Sequence, residues 1–147
     1  MEKIENILKR VEGSKPFNAL LKEHRNKSVT VHLDNLVGGA LSLYSSALIT
    51  HAGGVHIFVA EDRDAAAYML NDFYALLDED RVHFFPTSYK RSILYGKEDA
   101  QGVVQRTNTL NAIRHHKSGY IVVCTYPEAL AERVADEGAI TERSIRL

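Results

Sequence analysis

One cysteine, three prolines and no tryptophan occur among 147 residues. The single thiol, Cys124, excludes an internal disulfide framework and a four-cysteine zinc site. That suits a reducing compartment, and a cytoplasmic location is the expectation. No apolar run approaches the ~20 residues that span a membrane. The opening MEKIENILKR has no apolar stretch of the signal-peptide kind. An excess of charge of either sign is also missing: 18 Lys and Arg face 19 Asp and Glu. A strongly basic nucleic-acid-binding module is therefore not the default reading. At 45% apolar residues the chain is too hydrophobic for a disordered tail and long enough for one packed core.

The neutral total conceals blocks. Residues 35–80 carry one Lys or Arg against seven Asp and Glu. Residues 81–119 carry seven against two. An acidic stretch thus precedes a basic one, which fits either two solvated faces of opposite bias or a dipolar binding surface.

Ile4, Ile7, Leu8 and Val11 recur at helical spacing, and Gly13-Ser14 ends that helix. Pro16 suits the first turn of a second helix that carries Phe17, Leu20 and Leu21. Together they predict an N-terminal helical hairpin over 1–27. Val29, Val31 and Leu33 alternate with polar residues, which predicts a strand at 28–33. After Gly38-Gly39 a helix is expected over 39–52. VHIFVA at 55–60, VHFF at 82–85 and YIVVCT at 120–125 read as further strands. Their apolar runs suit a buried parallel sheet. Helices are expected at 63–78, with Asp62 or Asp64 as cap, at 99–115, and at 127–134 after Pro127. The stretch 86–98 has no period and reads as a long loop. Alternating strands and helices predict an α/β fold, a parallel sheet with helices on both faces. Ligands of such sheets bind at the carboxyl ends of the strands.

Those ends supply little established chemistry. A phosphate-binding loop needs glycines, a lysine and a hydroxyl. The stretch NLVGGALS at 35–42 offers Gly38, Gly39 and Ser42, but no lysine occurs in residues 28–89. No G-x-G-x-x-G and no G-x-S-x-G is present. Glu61-Asp62 and Asp136-Glu137 have no phosphate loop to serve as magnesium ligands. His32, His56 and His83 fall in predicted strands and would hold a metal only on one shared face. No catalytic, metal or working cofactor site is expected. The basic block remains: Tyr89, Lys90, Arg91, Tyr95, Lys97 and Arg106. Such residues contact phosphate and stack on bases, and equally anchor protein interfaces.

The order of segments over about residues 15–134 resembles the N-terminal region of the bacterial transcription-repair coupling factors. The carriers are Phe85-Pro86 with its aromatic loop, the helix with Gln101, Arg106, Leu110 and Ile113, and the strand leading into TYPEAL at 125–130. No single motif is diagnostic; the likeness lies in order and spacing. That region is itself similar to the first domain of the excinuclease B subunit. The resemblance implies a RecA-like, P-loop-type sheet over 28–134 with a degenerate phosphate loop at Gly38, Gly39 and Ser42. It implies that residues 135–147 begin a following small domain of a longer protein. It also implies that the parent protein is an ATP- and magnesium-dependent DNA translocase, a helicase-like hydrolase acting in nucleotide excision repair. Its partners would be RNA polymerase, double-stranded DNA and the excinuclease A subunit. This segment would be non-catalytic. Two alternatives stay open: a nucleotide-binding half domain of the excinuclease B type, and a weak DNA-binding module using 86–106.

Overall fold

The computed structural model describes residues 2–25, 28–89 and 99–134. Two helices open the chain, α1 (Glu2–Glu12) and α2 (Lys15–His24). Ser14 caps α2 by accepting the Phe17 N–H at 3.3 Å, and Pro16 sits in its first turn, where a missing N–H does no harm. Both helices lie against α3 (Ala40–Ala52). Phe17 and Leu20 are buried there, with the Phe17 ring edge-on to His51.

The body is α/β, an open sheet of three parallel strands flanked by helices. The strands are β1 (Gly54–Val59), β2 (Val82–Phe84) and β3 (Tyr120–Thr125), in the order β1-β3-β2. The intervening helices are α4 (Arg63–Leu76) and α5 (Ala100–Arg114), and α6 (Pro127–Ala131) follows β3. Asp62 caps α4 by accepting the Ala65 N–H at 2.8 Å. β3 lies between the other two strands, and every residue from Ile121 to Thr125 is buried. This is why its sequence is continuously apolar rather than alternating.

Register divides the side chains between two faces. Val122, Cys124, Phe58 and Val82 pack with Ile49 of α3 and Phe73 of α4. Ile121, Val123 and Phe85 pack with Leu110 and Ile113 of α5. So α4 carries the chain from β1 past β3 to β2 over one face, and α5 returns it to the middle over the other. A common right-handed crossover requires that reversal of face with direction. Phe73 is fully buried, 4.7 Å from the Phe58 ring, and its burial contributes about 2–3 kcal/mol.

The expected strand at 28–33 does not form. Residues 29–37 have no regular structure, and Val29, Val31 and Leu33 are exposed. Alternation marks a segment that suits a half-buried sheet position, but a strand exists only where a neighbour supplies a ladder. Here β1 ends the sheet on that side, and positive φ at Ser28 and Asn35 turns the backbone out of extended geometry at both ends. The remaining strands and helices fall within a few residues of their expected ranges. Residues 135–147 and most of the 86–98 loop lie outside the described residues.

Candidate functional site

The glycine pair lies where expected, before α3. Gly38 has φ +59°, the left-handed region that glycine adopts freely, and Gly39 precedes the first turn. The hydroxyl of Ser42 is buried and donates to the Asp72 carboxylate of α4 at 2.7 Å. The hydroxyl that would serve magnesium is thus committed to an interhelix contact. A carboxylate beside this turn also opposes an incoming phosphate. Because residues 29–37 form no strand, the turn does not extend from a strand's carboxyl end.

The carboxyl ends of β2 and β3 hold a different arrangement. Arg106 of α5 was expected at a nucleic-acid or partner surface. It is instead 6% exposed. Its Nη1 donates to the carbonyls of Pro86 at 2.8 Å and Ala129 at 2.9 Å, and its Nη2 to the carbonyl of Glu132. Nε lies 3.6 Å from a Glu132 carboxylate oxygen, and the guanidinium sits over the Phe85 ring. Burial lowers its pKa, while Glu132 and Tyr126 act in the opposite direction. The reason for the correction is helical position. Gly102, Arg106 and Thr109, at i, i+4 and i+7, form the buried stripe of α5, whereas Val104 faces solvent.

Glu132 and Tyr126 complete this cluster. The Glu132 carboxylate accepts from both the backbone N–H and the hydroxyl of Ser88. The Tyr126 hydroxyl accepts the Thr87 N–H at 3.0 Å. Asp99 N–H donates to Ser88 O at 2.7 Å, which joins the two ends of the intervening segment. Gly102 lets the backbone of Thr87 pass so close that a Cβ would stand 2.5 Å from its carbonyl oxygen. The base of the basic segment is therefore fastened on both sides. Tyr89 is exposed at its edge. Lys90, Arg91, Tyr95 and Lys97 lie outside the described residues, so of the six candidates only Tyr89 and Arg106 are placed. Sequence reading missed Glu132 and Tyr126, because nothing local pairs an arginine with a carboxylate 26 residues away.

The strand histidines do not converge. His56 and His83 occupy opposite faces of the sheet by register, and His32 lies in the irregular segment. Among the described residues no group of three metal-ligating side chains forms. Cys124 is fully buried, and desolvation pushes its thiol up to about 12, which makes it a poor nucleophile. Among the described residues no helix is long and apolar enough to cross a membrane. Compared with family models, curated proteins and solved structures, the chain matches none.

Proposed function

We propose that this chain is the non-catalytic N-terminal module of a transcription-repair coupling factor. In this reading the full-length protein recognises stalled RNA polymerase, releases it by ATP-driven translocation on double-stranded DNA, and recruits nucleotide excision repair through the excinuclease A subunit. It works in the cytoplasm. The module's sheet is a RecA-like, P-loop-type sheet whose phosphate loop has decayed, with α1 and α2 as a hairpin packed on α3. Support comes from the order of segments across residues 15–134 and from one observation above all. Ser42, at the position of the phosphate loop's hydroxyl, donates to the Asp72 carboxylate, and no lysine accompanies it.

Two measurements test this. Calorimetric titration of the chain with Mg-ATP is expected to give no binding heat; micromolar binding would turn the reading toward the excinuclease B type. Deleting the chromosomal gene is expected to abolish the faster repair of transcribed over non-transcribed strands after ultraviolet irradiation. An unchanged strand bias overturns the assignment.

A further inference from the structure

Among the described residues no strand pairs with β1 on the side away from β3. Gly54 and Ala60 donate their N–H groups to the carbonyls of Gly119 and Thr125. Alternation along a parallel ladder therefore turns the N–H and C=O groups of Val55, Ile57 and Val59 outward. The side chains of the same three residues stand on the α5 face of the sheet, 40%, 56% and 53% exposed. Their register partners Ile121, Val123 and Thr125 are buried. Folded proteins guard such an edge with a lysine, a proline or a bulge. β1 has none of these. No Lys, Arg, Asp, Glu or Pro lies between Asp34 and Glu61, and the register against β3 runs unbroken.

We propose that β1 pairs with β1 of a second copy of this chain, antiparallel about a two-fold axis at Ile57, so that two sheets become one. The edge is self-complementary in this arrangement. Parallel pairing of two identical edges needs an odd shift in register, which a two-fold axis does not allow; antiparallel pairing closes on such an axis. Outward residues must then face outward residues. The register centred on Ile57 sets Val55 opposite Val59 of the second copy and pairs all three, so each N–H and carbonyl on the edge gains a partner. The side chains meet as β-branched cross-strand pairs, Ile57 against Ile57 and Val55 against Val59.

Charge favours the same direction. Glu61 and Asp62 follow β1. The antiparallel register sets them opposite Gly53 and Ala52 of the second copy, next to His51, whereas parallel strands would bring the two acidic ends together. With a net charge of −1, repulsion between whole chains is small. One strand pair buries less than the ~1,600 Å² of a standard interface, so the dimer is expected to be concentration-dependent. Nothing in this pairing depends on the proposed function.

Sedimentation equilibrium of the full chain from ~10 μM to ~1 mM tests it. A shift from monomer to dimer is expected, with nothing larger, because a two-fold interface closes. Ile57→Lys sets two like charges together on the axis, and Ile57→Glu does the same. Each is expected to weaken the dimer at least ~10-fold, and an equimolar mixture of the two should dimerise again. Rescue by opposite charge separates a lost interface from a lost fold. A monomer throughout, a dimer indifferent to Ile57→Lys, assemblies beyond two chains, or a mixture that stays monomeric each overturns the pairing. Cross-linking uses a milder variant. With Ile57→Cys a short bismaleimide is expected to join two chains, the native Cys124 being buried, and with Tyr68→Cys on the exposed surface of α4 it is not. Equal cross-linking of both overturns the proposal. The amides of Val55, Ile57 and Val59 should exchange more slowly as concentration rises, while that of Val122 stays slow throughout. Protection of the three that ignores concentration would mean that the chain covers its own edge, and also overturns it.

Discussion

Arg106 and Glu132 meet at 3.6 Å, and together with Tyr126 they hold three consecutive residues of the segment after β2. Arg106 takes the Pro86 carbonyl, Tyr126 takes the Thr87 N–H, and Glu132 takes Ser88. Neither charge has water as an adequate alternative, since the two side chains are 7% and 19% exposed. Arg106→Ala would take the arginine donor from three carbonyls and leave a largely enclosed carboxylate without its cation. The expected cost is about 3 kcal/mol in urea unfolding. Arg106→Lys keeps the charge but not the planar fork, and about 1–2 kcal/mol is expected. Stability unchanged in both variants would return Arg106 to the surface role that composition suggests.

Gly102 reverses an ordinary rule. In a helix interior Gly→Ala stabilises by about 1 kcal/mol. Here the new Cβ would meet the Thr87 carbonyl oxygen at 2.5 Å, and that carbonyl belongs to backbone fastened on both sides. Gly102→Ala is therefore expected to destabilise by about 1–3 kcal/mol, the usual cost of overpacking. Chemical denaturation decides the sign. A stabilised variant would mean that the Pro86–Tyr89 turn yields freely.

The sheet was legible because burial leaves a periodic trace. YIVVCT is apolar on both faces, as a strand enclosed on both sides must be, and Phe73 falls on the four-residue spacing of a packed helix. The segment 28–33 carries the same kind of pattern, yet alternation specifies a face and not a neighbour. Val29, Val31 and Leu33 could not reveal that β1 ends the ladder. Arg106 was misread for a related reason. Hydrophobic periodicity assigns Leu110 and Ile113 of α5 to the core. Arg106 stands four and seven residues before them on the same inward stripe, beside Gly102 and Thr109, but a charged residue type reads as surface. What makes that stripe tolerable is a set of backbone carbonyls from distant segments, and their positions leave no mark in the local sequence.

Acid is expected to weaken the fold through two histidines. His56 has a lowered pKa because burial disfavours its charge; the Gly53 carbonyl opposes this, and His24, stacked 6.3 Å away, adds to it. His83 is lowered by burial, and its Nε2 has no partner among the described residues. In the unfolded chain both titrate near the ordinary 6.5. The unfolded state thus binds protons first as pH falls. Stability is full above about 6.5 and declines below it, until the folded-state values are passed. Thermal unfolding between pH 7.5 and 5 should show a falling Tm, and the chain with His56→Gln and His83→Gln a flatter one. A parallel slope in both chains would assign the loss to other groups.

Ser42, near the start of α3, and Asp72, near the end of α4, tie the two helices together, and a double-mutant cycle isolates that tie. Ser42→Ala removes a hydroxyl bonded to a charged acceptor, worth about 1.5–3 kcal/mol in such pairs. Asp72→Ala leaves the buried Ser42 hydroxyl without its acceptor and is expected to cost about 1–2 kcal/mol. With both replaced, neither group is stranded, so the double variant should lose less than the two singles together. The coupling is expected at about 1 kcal/mol or more, read from urea midpoints at constant m. Strict additivity would mean that the two groups act independently and that Ser42 is free to meet a ligand. In that event Mg-ATP should be titrated against Asp72→Ala as well as the wild type, because the carboxylate would no longer stand in the way of a phosphate.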